Sequence, residues 1–147
     1  MTRPPKPDDR PWMMPYLAVS DVEKSLDFYK RAFGFEEVRA LVGPDGSLGH
    51  AGLRWHDVRI LIGSEDRQDS EIVKSPLGRT PNTLQGTPVV LYIYTDDVDA
   101  LHDRAIQAGA CEGFAPQEMF WGDRVCLLFD PDGHAWNFAT NVADWNP

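Results

Sequence analysis

Apolar and polar positions along this chain alternate, switch to a helical period and alternate again, and the sequence does this twice. From Trp12 to Val19 the period is two, with Leu17 and Val19 on one side and Tyr16 and Ala18 on the other, which predicts a strand. Ser20 or Asp21 then offers a cap. Val22, Ser25, Leu26, Tyr29, Ala32 and Phe33 fall on one stripe at helical spacing, while Glu23, Lys24, Asp27 and Lys30 lie outside it. Gly34 ends that helix. Phe35 to Val42 predicts a second strand and GPDG at 43–46 a turn. Leu48 to Trp55 and Val58 to Ile62 predict a third and fourth strand joined around His56-Asp57.

Gly63 to Pro88 is polar, lacks a period and contains Pro76, Gly78, Pro81 and Gly86; it predicts a connection with at most a short turn of helix. The pattern then returns. VVLYIYT at 89–95 is a strand, and Asp96 or Asp97 caps a helix with Val98, Leu101, Ala105 and Ala108 on one face, ended by Gly109. Glu112 to Gln117 predicts irregular chain or a short strand. Val125 to Phe129, the turn Asp130-Pro131-Asp132-Gly133 and Ala135 to Ala139 make a closing hairpin, with Pro131 presetting φ and Gly133 free to take a positive one. Val22, Asp27 and Ala32 match Val98, Asp103 and Ala108 at a constant offset, so the chain holds two βαβββ modules. The expected division is an N-terminal arm at 1–11, a first module at 12–65, a linker at 66–88, a second module at 89–140 and a tail at 141–147. The fold class is α+β, with curved mixed sheets. Each module has one helix to cover one face of its sheet, leaving the other to curve around a ligand cup.

Composition narrows the classes. A chain of 147 residues is long enough to bury a core without disulfides or structural metal. Its two cysteines, Cys111 and Cys126, have no CxxC spacing, and Cys126 sits in an apolar run as a reduced core residue. A net charge of −9 opposes binding to nucleic acid, whose phosphates call for Lys and Arg. No apolar run is long enough to span a bilayer, and the first residues do not read as a signal peptide, so the expectation is a cytoplasmic protein with no membrane partner.

The stretches LAVSDVEKSLDFYKRAFGF at 17–35 and DPDGHAWNF at 130–138 resemble the vicinal oxygen chelate superfamily, which includes glyoxalase I, extradiol dioxygenases and the fosfomycin and bleomycin resistance proteins. LGHAGLRW at 48–55 and WGDRV at 121–125 resemble its PhnB-like branch. The resemblance implies homodimers with the site in the cup formed by the sheets. It also implies a divalent metal at four inward positions, one on the first and one on the last strand of each module. Carried over individually, these fall at Met14, at Val90, at Asn137 and near Arg59 or Ile60. None is His, Asp or Glu, and a divalent cation needs oxygen, imidazole or thiolate donors. The expectation is therefore no metal and no cofactor.

Among candidate ligand-binding residues, His50 lies on the third strand with Gly52 and Arg54, its orientation toward the cup open. By the parity that turns Asn137, Ala135 and Ala139 toward the cup, Trp136 and Phe138 pack under the helix, and Tyr16, Tyr92 and Tyr94 line the cup with Met14 and Val90. Trp55, Phe120 and Trp121 stand at strand ends, as a rim or a dimer contact. Asp123 and Arg124 form an ion pair, or Arg124 binds the ligand. His134 follows the turn in a structural role. No nucleophile–base pair, phosphate loop or Cys/His cluster appears. The favoured reading is a metal-free small-molecule-binding protein of the bleomycin resistance type that sequesters an apolar or aromatic ligand, bound by Tyr16, His50, Trp55, Tyr92, Tyr94, Trp121, Arg124 and Asn137. The alternatives are a metal-dependent lyase, isomerase or dioxygenase with relocated ligands drawn from His50 and acidic residues, and a module docking another protein through its Trp residues. Whether the modules pair within one chain or swap between two copies stays open.

Overall fold

A computed structural model describes residues 2–42, 46, 48–66 and 78–145. The GPDG turn expected at 43–46 lies outside the described residues except for Gly46, as do positions 67–77 of the linker. The order of elements is β1 (Tyr16–Val19), α1 (Val22–Phe33), β2 (Glu36–Val42), β3 (Leu48–Trp55), β4 (Val58–Ser64), α2 (Pro81–Leu84), β5 (Val90–Tyr94), α3 (Val98–Gln107), β6 (Cys111–Glu118), β7 (Asp123–Phe129) and β8 (Ala135–Asn141). The strands form two four-stranded mixed sheets of identical topology, β1-β4-β3-β2 and β5-β8-β7-β6. In each, the first and last strands run parallel and the others are antiparallel. This is the duplicated βαβββ unit that the offset between the two halves predicts.

Local chemistry sets the helices. Asp21 caps α1 by accepting from the Lys24 amide at 3.0 Å, and Asp97 caps α3 by accepting from Ala100 at 3.0 Å. Gly34, at φ 74°, closes α1 in the left-handed region. The first strand is shorter than the pattern from Trp12 predicts, since only Tyr16–Val19 pairs with β4. Of the two readings for Glu112 to Gln117 the structure has the strand: β6 is an eight-residue edge strand whose register slips at Glu112/Phe114 and Phe114/Gln117.

Both helices bury their apolar stripes against the same core. Phe33 lies 5.3 Å from Trp136 and 4.6 Å from Phe138, centroid to centroid, so α1 of the first module packs on the last strand of the second. The DPDG turn locks the two together. Asp130 accepts from the Tyr29 hydroxyl at 2.5 Å and from the Trp136 indole at 3.0 Å, Asp132 accepts from the Ser25 hydroxyl at 3.3 Å, and the His134 ring meets the Ala18 carbonyl at 2.7 Å. Trp136, Phe138, Leu128 and Cys126 are fully buried on this side. The opposite face of each sheet is left without a covering helix.

Candidate functional site

Alternation decides which side chains reach the open faces. On the first sheet Ala51, Leu53, Ile60 and Ile62 point into the core, so Tyr16, His50, Gly52, Arg59 and Leu61 belong to the other side. They line a cavity of about 280 Å³, completed by Arg10, Met14 and Val38. His50 thus faces the cavity. Its Nδ1 lies 2.5 Å from the Tyr16 hydroxyl, with the two rings edge to face at 5.8 Å. Arg54, on the same strand, is neutralised by Glu36 at 2.6 Å.

On the second sheet Leu91 and Ile93 turn toward the core side, while Tyr92 and Tyr94 stay 42% and 57% exposed on the open face. Asp123, only 2% exposed, stands beneath them. One of its oxygens accepts from the hydroxyls of Tyr92 at 2.7 Å and Tyr94 at 2.8 Å; the other accepts from the Asn141 amide at 3.0 Å. Burial alone would raise the Asp123 pKa, but the donors Asn141, Tyr92 and Tyr94 outweigh it and hold the carboxyl below its usual value. Burial, with that carboxylate beside it, pushes Tyr92 up to about 12, and the hydrogen bond to Asp123 raises Tyr94. The Trp121 indole donates to the Tyr92 oxygen at 3.3 Å. The loop that delivers Trp121 and Asp123 turns at Gly122, at φ 95°, where a Cβ would stand 2.1 Å from the Ala143 carbonyl; only glycine fits.

Several expected residues sit elsewhere. Arg124 is on the helix side of its strand, not in a cup, and makes a two-pronged ion pair with Asp99 of α3 at 2.8 Å on both arms. The expected Asp123–Arg124 pair does not form, because neighbours in a strand point to opposite faces. Trp55 donates to the Tyr94 carbonyl at 2.9 Å and packs on Phe35, bridging the modules instead of rimming an opening. Within one chain Tyr16 and His50 lie on the first sheet while Tyr92, Tyr94, Trp121 and Asn137 lie with the second, so a single chain does not gather them into one cup. Asn137, paired in register with Tyr92 and Leu127, spends its amide on the Cys126 carbonyl at 3.2 Å. Asp123 and Arg10 are the site residues that sequence reasoning missed. Counting back by twos from Val125 would have exposed Asp123; nothing in the sequence singles out Arg10.

The family-model comparison decides the affiliation: residues 11–138 match the Glyoxalase/Bleomycin resistance protein/Dioxygenase superfamily. The chain belongs to that superfamily. It is similar to the protein Rv0887c of Mycobacterium tuberculosis (strain H37Rv), 36% identical over 136 residues, which cover 92% of this chain and 78% of that one. Protein Mb0911c of Mycobacterium bovis matches at the same identity, over 92% of this chain and 87% of its own. Among solved structures, TioX from Micromonospora sp. ML1 superposes with a TM-score of 0.69 at 25% identity, covering 88% of this chain and 98% of that one. A superfamily member from Burkholderia phytofirmans PsJN gives 0.65 at 22%, covering 86% and 95%.

Metal-dependent members of the superfamily need four ligand positions, and the residues here do not fit a divalent cation. Met14 offers a thioether, Arg59 is itself a cation, Val90 is a hydrocarbon and Asn137 offers a single neutral amide oxygen; Ile60, the other choice for the fourth position, is buried in the core. Among the described residues, no three His, Cys, Asp or Glu side chains converge.

Proposed function

We propose that this chain is a small-molecule-binding protein of the bleomycin resistance type that sequesters an apolar or aromatic ligand without a metal, working as a cytoplasmic homodimer with no nucleic-acid or membrane partner. The observation that carries the reading is the chemistry of the open faces. They keep the shape in which the superfamily binds small molecules, yet present Met14, Val90, Asn137 and Arg59 where metal donors would stand. What they offer instead is aromatic and hydrogen-bonding: Tyr16 with His50 on one face, Tyr92, Tyr94 and Asn137 on the other, with Trp121 beside them. No helix among the described residues is long and apolar enough to cross a membrane. The LGHAGLRW and WGDRV stretches further support a place in the PhnB-like branch.

The homodimer follows from the two half-cups. A second copy laying its second sheet over this chain's first would bring all three open-face tyrosines into one enclosure. Light scattering should return twice the chain mass; a monomer at micromolar concentration refutes the swapped cup. Tryptophan fluorescence should fall saturably on titration with a hydrophobic aromatic compound, and Tyr92→Ala should weaken that binding about tenfold. A broad panel of compounds with no saturable quenching would mean that the faces fill each other and hold no ligand.

A further inference from the structure

The cavity on the first sheet contains a polar group that the fold itself leaves unanswered. Arg10 lies on the N-terminal arm, where its backbone amide donates to the Pro7 carbonyl at 3.2 Å. Its side chain reaches the cavity, and its Nε is buried with no hydrogen-bond acceptor, the one side-chain nitrogen or oxygen among the described residues in that condition. Leaving such a donor unmet is costly, and more so when the group is charged. In native structures such a group is answered by ordered water, an ion or a ligand. A second guanidinium, Arg59, lines the same cavity. Its carboxylate neighbour, Asp9, stands at 3.7 Å, beyond hydrogen-bond length, and is itself mostly exposed. Arg54, by contrast, is already held by Glu36 at 2.6 Å. Among the described residues, the cavity therefore carries two guanidiniums against one carboxylate, Asp9, paired with Arg59 at 3.7 Å, beside walls of Met14, Val38 and Leu61.

We propose that this cavity is a carboxylate site: Arg10 and Arg59 grip the acid group of a small apolar acid whose body lies against Met14, Val38 and Leu61. The planar guanidinium fork matches a carboxylate with two parallel hydrogen bonds, and the contact gains strength where water is excluded. A volume of about 280 Å³ suits a one- or two-ring acid. The assignment rests on the small-molecule-binding reading and sharpens it, making the ligand an anion. It also makes the N-terminal arm part of the site.

Calorimetric titration with 2-naphthoate and with 2-naphthamide, its neutral counterpart, tests this. Wild type should bind the acid about tenfold more tightly than the amide, as two charge-assisted hydrogen bonds would give. Arg10→Gln and Arg59→Gln should each bring the two probes close to parity, whereas Arg54→Gln should leave the preference intact. Circular dichroism confirms folding, and Arg10→Lys, which keeps the charge but not the fork, should retain only part of the preference. Equal binding of acid and amide by wild type overturns the carboxylate site and leaves the broader binding reading standing. A preference that survives both glutamine variants overturns the assignment of the arginines. If Arg10→Gln breaks the dimer yet keeps the preference, Arg10 belongs to the contact between copies and its role here falls. Binding of neither probe overturns the carboxylate site, and the broad fluorescence panel then decides the wider binding reading.

Discussion

Asp123 shows how much a single strand position can organise. Its carboxylate is buried, yet it stays ionised because three neutral donors converge on it. The lowered pKa means that the folded state binds this proton less readily than the unfolded state does. Its contribution to stability is thus present above the ordinary carboxylate pKa and lost as pH falls through the lowered value. Asp123→Asn should lower stability by about 1–3 kcal/mol at pH 7, and urea midpoints should show the gap to wild type closing toward pH 3. A gap that stays constant with pH would deny the carboxylate that role. The sequence made this residue half legible. Strand alternation places positions 123 and 124 on opposite faces, so the adjacent charges cannot pair across the sheet. Which tyrosines Asp123 meets depends on β5 and β7 standing on either side of β8, a tertiary fact that no local pattern carries.

At the level of elements, the helices and the closing hairpin were legible because their signals are strong and local. Asp21 and Asp97 cap, the apolar stripes repeat at helical spacing, and Pro131 and Gly133 turn the chain. β6 was the weakest element in the sequence. Gly113 and Pro116 lower strand propensity, and its exposed edge position asks for no apolar alternation. The short first strand has a different cause: residues 12–15 have strand-like spacing but only Tyr16 to Val19 find partners on β4. The role of α1 exceeds what its stripe implies, since Phe33 packs against Trp136 and Phe138 of the other module. Phe33→Ala should therefore cost about 3–5 kcal/mol and shift a single unfolding transition that both modules share. Two separable transitions in calorimetry would show the modules to be independent units.

For the whole molecule, duplication explains both the stability and the opportunity. Two sheets share one core through their helices, and that arrangement leaves their other faces without a covering helix. Superfamily membership and the α+β architecture were legible in the residues of the first helix and the DPDG turn. The separation of the tyrosines onto two faces was not, because parity assigns a side chain to a face without saying which faces meet. The central claim is that the cradle binds its ligand without a divalent ion, since Met14, Val90, Asn137 and Arg59 cannot hold one. The most direct test is elemental analysis by plasma mass spectrometry of untagged protein, purified without chelators and dialysed. The account predicts zinc, nickel, manganese and iron all far below one ion per chain; any of them at stoichiometric level, retained through dialysis, would contradict it.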